Sequence, residues 1–99
     1  MIPLFTQDGL IICFEALPEE VDARDHFIQE WGWTEEQFTS IEYLPFFCAM
    51  VSAWKDGIEQ AVAYLGCCCY EKVSDFYTKY KDDYFKDMVN EVIENAKTH

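Results

Sequence analysis

Positive charge is scarce in this sequence, and it is scarcest in the first half. The chain has 7 Lys and Arg residues against 19 Asp and Glu residues, which gives a formal net charge of −12. Residues 1–54 hold ten acids and one base and carry −9, whereas residues 55–99 hold nine acids and six bases and carry −3. A field of this sign repels nucleic acids and anionic membranes, and it attracts basic proteins.

Long hydrophobic runs are also missing. No stretch approaches the roughly 20 apolar residues that a membrane-spanning helix needs, and the start Met1-Ile-Pro has no basic segment of the kind that opens a secretion signal. The five cysteines are an odd number, and Cys67–Cys69 are adjacent, a pattern that suits no small disulfide framework. We therefore expect reduced thiols and a cytoplasmic protein.

The sequence lacks a catalytic signature. Its four glycines are isolated, so no phosphate-binding loop is present. A glycosidase or a metal hydrolase needs acids that converge in a cleft, whereas the acids here are predicted on outer helical faces. Structural zinc needs cysteines separated by a few residues, and Cys67–Cys69 do not offer that spacing. We expect no enzyme activity, no cofactor and no bound metal.

Hydrophobic residues make up 51% of the 99 residues, which is enough to bury a core in one domain, residues 1–99. Two apolar runs flank Asp8-Gly9, and they predict a β-hairpin over residues 2–14. Pro18 and the acids after it are typical of a helix start, and Gly32 is placed to end that helix. Its apolar stripe is predicted to contain Leu17, Val21, Arg24, Ile28 and Trp31, with His26 on the wet side.

Further helices are predicted along the rest of the chain. Thr34-Glu-Glu-Gln37 has the pattern of a capping box, so a helix is predicted from about residue 35 to before Pro45. Residues 46–54 fit either a helix or a buried strand, and helix is favoured because residues 56–65 have helical apolar spacing, with Asp56 as a cap. Cys67–Tyr70 fits a loop or a short strand.

A long helix is predicted from Ser74 to about Ala96. The buried side of this helix is predicted to contain Tyr77, Tyr80, Tyr84, Met88 and Val92. The predicted fold class is therefore α+β, a mostly helical single domain with an N-terminal β-hairpin and a long C-terminal helix.

The stretch from Glu15 to Glu42, which we call the acidic segment, is the most one-sided part of the chain. It holds nine carboxylates and one cation, Arg24. Carboxylates three or four residues apart on a helix lie about 5–6 Å apart at their Cβ atoms, which is close to the spacing of phosphates along a DNA strand. The candidate partner-binding residues are Glu19, Asp22, Asp25, Glu30, Glu35 and Glu36, together with Asp83, Asp87 and Glu91 on the C-terminal helix.

One segment resembles a known family. Residues 63–76 read AYLGCCCYEKVSDF and precede an acidic, tyrosine-rich stretch. This resembles part of the ArdA-type antirestriction proteins, in which a Tyr-x-Gly turn is followed by Ser and by Asp-Phe at a helix start. Tyr64, Gly66, Ser74, Asp75 and Phe76 match that pattern with a longer spacing, and the chain is shorter than that family. The resemblance implies an acidic protein that mimics DNA and occupies DNA-modifying complexes.

These observations predict an acidic inhibitor that binds a basic, nucleic-acid-binding site of a partner, of the antirestriction or anti-CRISPR type. One alternative is an immunity protein or antitoxin that neutralises a basic toxin, and another is a non-enzymatic adaptor domain. Charge does not separate the first two, because both use an acidic face. If the carboxylates form only a solvated surface, the aromatic residues near Trp31 and Trp33 become the candidate contact.

Overall fold

A four-stranded antiparallel sheet dominates the structure. The computed structural model describes residues 1–20, 22–78 and 84–98, and it is 40% strand and 34% helix. The prediction of a mostly helical fold is therefore wrong. Each strand lies beside its neighbour in the chain, in the order β1-β2-β3-β4. The strands are β1 (Ile2–Gln7), β2 (Leu10–Pro18), β3 (Phe46–Lys55) and β4 (Ile58–Cys69).

Two Asp-Gly turns connect these strands in pairs. Asp8 and Gly9 have φ angles of 54° and 79°, and Asp56 and Gly57 have φ angles of 54° and 77°. Positive φ at both central residues is the geometry of a type I′ turn, which matches the twist of the flanking strands. The hairpin over residues 2–14 is confirmed, and β2 continues beyond it. Asp56 caps no helix, because it turns the chain from β3 into β4.

The helices predicted over residues 46–54 and 56–65 are both strands. Ala49, Val51 and Ala53 point to the core face of β3 and are fully buried. On the opposite face of β3, Met50 and Ser52 are buried as well. A strand buried on both faces reads as an unbroken apolar run, and over a short window such a run also satisfies helical spacing.

Two C-terminal helices, α2 (Asp75–Thr78) and α3 (Tyr84–Lys97), follow the sheet, and α3 packs against β3 and β4. The ring of Phe76 lies 5.7 Å from that of Phe14, and both side chains are fully buried. The single long helix from Ser74 to about Ala96 is wrong, and Tyr80 lies outside the described residues.

The predicted buried side of that long helix is correct in part. Met88 and Val92 are buried, and Tyr77 is partly buried. Tyr84 is 60% exposed, which contradicts its predicted burial. Tyr84 is the first residue of α3. Its predicted burial assumed one continuous helix from Ser74, and the observed helix begins only at Tyr84.

The acidic segment leaves the sheet after Pro18 and forms two short helical pieces. These are a π-helical segment, Asp25–Glu30, and α1, Glu35–Thr39. The capping box is confirmed, since Thr34 and Gln37 exchange hydrogen bonds of 2.9 and 3.2 Å. Pro18 does not begin a helix. It is the last residue of β2, at an end of the strand that pairs with β3 but not with β1. Val21 lies outside the described residues.

Candidate interaction site

The candidate carboxylates are divided between two parts of the fold. Asp87 and Glu91 are exposed on α3, which lies on the sheet, whereas the others belong to the acidic segment. Asp83 lies outside the described residues. The predicted line of charge along one continuous helix is not formed, because Glu19 and Asp22 precede the helical residues. The exposed candidates in the acidic segment are Asp22, Asp25, Glu30, Glu35 and Glu36.

Arg24, the one cation of the acidic segment, is engaged inside that segment. Its guanidinium forms an ion pair with Glu35 and lies 6.0 Å from the ring centroid of Phe38. This contact joins the π-helical segment to α1. In the part of the chain that the structure describes, Asp25 and Glu36 are exposed and have no ion-pair partner. Arg24 therefore leaves most of the negative charge of this surface uncompensated.

Glu19 has a contact within the protein that the sequence does not predict. Its side chain is half-buried, and one carboxylate oxygen accepts a hydrogen bond of 2.6 Å from the backbone N–H of Cys67. The pairing of β3 with β4 is irregular at this point, and Cys67 has a φ angle of 57°. A Cβ atom on Gly66 would lie 3.0 Å from the same Glu19 oxygen. Glu19 thus links the end of β2 to the irregular end of β4.

His26 is buried, which contradicts its predicted place on the wet side of a helix. The π-helical segment explains the difference, since the N–H of Trp31 bonds to the carbonyl of His26, five residues earlier, at 3.2 Å. This wider turn departs from the 3.6-residue period that the apolar stripe assumes. The His26 ring contacts Phe27, Trp31 and Phe46, with centroids 5.0, 4.8 and 5.9 Å away.

The Nδ1 atom of His26 lies 3.2 Å from a carboxylate oxygen of Glu30. An ionised carboxylate only accepts, so Nδ1 donates the hydrogen bond in this pair. Nε2 is buried, and no hydrogen-bond partner for it exists among the residues that the structure describes. Most buried polar atoms in proteins are paired, so this nitrogen is an exception in the described part of the chain.

A pocket of about 500 Å³ lies between this histidine and β4. Trp31 and Tyr84 at the pocket are 59% and 60% exposed, although both are large aromatic side chains. Sequence analysis missed the pocket because its walls come from distant segments, and the density of aromatic residues near Trp31 was the one available signal. The side chains and backbone that form the walls include His26, Phe27, Trp31, Trp33, Gly66, Cys67, Cys69, Tyr70 and Tyr84.

The cysteines at the pocket are held as thiols. Burial raises the pKa of Cys68 to about 11. Burial also raises the pKa of Cys67, and the carboxylates of Glu19 and Glu30 raise it further. A thiol of high pKa is a poor nucleophile and a poor metal ligand at neutral pH. Across residues 1–20, 22–78 and 84–98, no three His, Cys, Asp or Glu side chains are placed to hold a metal ion.

Comparison with known proteins does not assign a family. No family model matches the sequence, and no curated protein and no solved structure matches it. Within the described ranges, no helix combines the length and the apolar character needed to cross a membrane. The charge, burial and geometry of the acidic segment and its pocket are therefore the basis for a functional assignment.

Proposed function

We propose that this protein is a non-enzymatic, cytoplasmic inhibitor that presents its acidic segment to the basic, nucleic-acid-binding site of a partner protein. The observation that supports this role is a surface of exposed carboxylates whose one cation, Arg24, is already paired with Glu35. Partner classes that fit are restriction enzymes and CRISPR effectors, because both bind DNA through basic surfaces.

The net charge of the protein, averaged along its long axis, is close to that of a single strand of DNA. The described residues extend over 48 × 22 × 21 Å. The net charge of −12 also applies to the described residues, since positions 79–83 hold two lysines and two aspartates. Dividing the 48 Å long axis by 12 charges gives one net negative charge per 4 Å. A DNA strand carries one charge per about 3.4 Å, and the duplex carries one per about 1.7 Å.

Such a surface acts mainly on the rate of association. Opposite charges steer the encounter of two proteins, and this steering weakens as salt rises because the Debye length falls from about 30 Å at 0.01 M to about 10 Å at 0.1 M. The inhibitor occupies the site that DNA would use, so DNA and the protein compete for the partner. The protein itself is expected not to bind DNA, because both are negatively charged.

Competitive elution tests this function. The protein is immobilised, incubated with a bacterial lysate, and eluted first with duplex DNA and then with high salt. We expect DNA-binding proteins in the DNA eluate, identified by mass spectrometry. Recovered partners that DNA fails to displace would contradict mimicry, and a basic toxin among them would favour the immunity-protein alternative.

A matched pair of charge reversals locates the contact. Asp25→Lys/Glu36→Lys changes two exposed carboxylates of the acidic segment, and Glu71→Lys/Glu94→Lys makes the same change of net charge elsewhere on the surface. The first pair is expected to reduce association with the recovered partner at least tenfold at low salt, and the second pair to reduce it far less. Circular dichroism checks that both variants fold. Equal losses would indicate a response to net charge alone.

A further inference from the structure

The last strand, β4, forms an edge of the sheet. It has 12 residues and pairs with β3 on one side, and among the described residues no strand lies on its other side. In the same part of the chain, residues 58–66 make no backbone–backbone hydrogen bond outside the ladder with β3. Alternate residues of an edge strand direct their N–H and C=O groups away from the sheet. β4 therefore presents a row of backbone groups with which a further strand can pair.

The sequence of β4 lacks the usual protection of an edge strand. Lysine, proline and inward-pointing charges keep natural edge strands from pairing with other chains. β4 contains no proline and no lysine, and its one charged residue, Glu59, lies near its start. Residues 60–70 carry no charge at all, in a chain whose net charge is −12. This edge is therefore a place where two copies of an acidic chain can meet without facing carboxylates.

The regular part of β4 is centred on Ala63. Its pairing with β3 is regular over residues 61–65 and shifts register beyond each end. A second β4 that runs antiparallel pairs with this whole stretch when a two-fold axis passes beside Ala63. Val62 of each copy then lies opposite Tyr64 of the other, and pairs of an aromatic and a β-branched side chain stabilise neighbouring strands. Tyr64 is 60% exposed, so it has surface to contribute to such a pair.

The other edge of the sheet does not offer the same surface. β1 has 6 residues, contains Pro3, and shifts register between Pro3 and Phe5. Proline removes a backbone donor, and an irregular ladder is a common protection of an edge strand. Pairing through β4 alone uses one edge of each chain, so it ends at two copies and does not extend into a fibre.

We propose that β4 is a dimerisation edge, at which two copies of this chain pair antiparallel about Ala63 and join their four-stranded sheets into one continuous sheet. Tyr64 of each copy packs on Val62 of the other. The site is independent of the proposed function, because residues 61–65 belong to neither the acidic segment nor α3.

The dimer has one consequence for the pocket. Gly66 and Cys67, which line the pocket, directly follow the paired stretch in each chain. Because the two strands run in opposite directions, the two pockets lie at opposite ends of the shared strand pair. If the acidic segment binds a partner as proposed, the dimer carries two such surfaces, one at each end.

Sedimentation velocity tests the dimer. The protein is measured over a range of concentrations with a reducing agent present, so that intermolecular disulfides do not contribute. We expect a monomer–dimer equilibrium whose dissociation constant falls at least about fivefold between about 0.1 M and about 1 M salt. The reason is that salt screens the repulsion between the acidic chains, including that of Glu59 and of Glu19, which is bonded to Cys67. A monomer at every concentration, larger assemblies without a dimer, or a dimer that does not strengthen with salt would overturn the proposal.

A matched pair of lysine substitutions locates the interface. Tyr64→Lys places a charge in the paired stretch, and Tyr43→Lys makes the same change at a tyrosine that is 77% exposed and lies outside β4. Both variants reduce the net negative charge by one, which by itself favours association. We expect Tyr64→Lys to weaken dimerisation at least about tenfold, and Tyr43→Lys not to weaken it. Equal behaviour of the two variants, with circular dichroism as the folding control, would contradict the β4 contact.

Hydrogen exchange, followed by NMR, identifies the paired strand without any substitution. The outward N–H groups of residues 61–65 meet water in the monomer and a partner strand in the dimer. Raising the protein concentration should therefore slow exchange at alternate residues of this stretch and leave β1 unchanged. Slower exchange in other segments, with none in residues 61–65, would place the dimer contact elsewhere and overturn the proposal.

Discussion

The carboxylate of Glu19 accepts a hydrogen bond of 2.6 Å from the backbone N–H of Cys67, a residue 48 positions away in the chain. Cys67 has a φ angle of 57°, in the left-handed region that costs a non-glycine residue about 1–2 kcal/mol. A hydrogen bond to an ionised carboxylate is among the stronger ones. Glu19 therefore stabilises the strained end of β4 and, with it, one wall of the pocket.

Loss of this carboxylate should destabilise the fold. We expect Glu19→Ala to lower the free energy of unfolding by about 1.5–3 kcal/mol, the usual worth of a hydrogen bond to a charged group. Urea denaturation at neutral pH measures the change. Glu36→Ala, which removes an exposed carboxylate of the same segment, should stay within about 0.5 kcal/mol of the parent. Equal losses in the two variants would show that the Cys67 contact contributes nothing.

The second Asp-Gly turn should depend on its glycine. Gly57 has a φ angle of 77°, and space around a Cβ atom is open, so a substitution there meets backbone strain alone. We expect Gly57→Ala to cost about 1–2 kcal/mol, the left-handed penalty of an L-residue. Asn90→Ala on the exposed side of α3 should instead be neutral or slightly stabilising. A neutral Gly57→Ala would mean that the turn relaxes to another type.

Features that depend on a few neighbouring residues were predictable from the sequence. The Asp8-Gly9 turn and the Thr34 capping box each depend only on residues close together in the chain, and both are present in the structure. Asp56-Gly57 is the same turn signal as Asp8-Gly9. The second hairpin was not predicted because Asp56 was interpreted as a helix cap. Treating the two Asp-Gly pairs alike would have predicted β3 and β4.

The pocket could not be predicted from the sequence, and the reason is different. The π-helical turn shifts His26 to the buried side, and no local pattern specifies where such a turn occurs. The opposite wall depends on the left-handed Cys67, which is held by Glu19 from 48 positions away. Neither feature follows from a local sequence pattern, so the exposed carboxylates were predictable and the pocket beside them was not.

The contact between α2 and the sheet should be a major source of stability. Phe76 is 1% exposed and packs on Phe14, so we expect Phe76→Ala to cost about 3–5 kcal/mol. Tyr84, eight positions later, is 60% exposed, and Tyr84→Ala should cost at most about 0.5 kcal/mol. Both changes remove an aromatic side chain. A difference between the two variants in urea denaturation therefore reflects burial and not the type of residue removed. A large loss for Tyr84→Ala would support the buried position that the sequence predicts.

High pH should weaken the fold through Cys68. Burial raises the pKa of this thiol from its ordinary 9.0 to about 11, so the folded protein holds the proton more tightly than the unfolded chain does. The resulting stability is fully present below about pH 9, and it is lost as pH rises from about 9 through about 11. At about pH 10.5 the loss from this one group reaches about 2 kcal/mol.

Comparison with Cys68→Ala isolates this effect from other groups that titrate at high pH. Removal of the side chain has its own cost at neutral pH, so the informative quantity is the fall in unfolding free energy between about pH 7.5 and about pH 10.5. With a reducing agent present, urea denaturation should show a fall that is smaller by about 2 kcal/mol in Cys68→Ala than in the parent. Parallel falls in the two proteins would mean that the Cys68 thiolate is as well accommodated in the folded state as in the unfolded chain, and that the wall of the pocket is open to water.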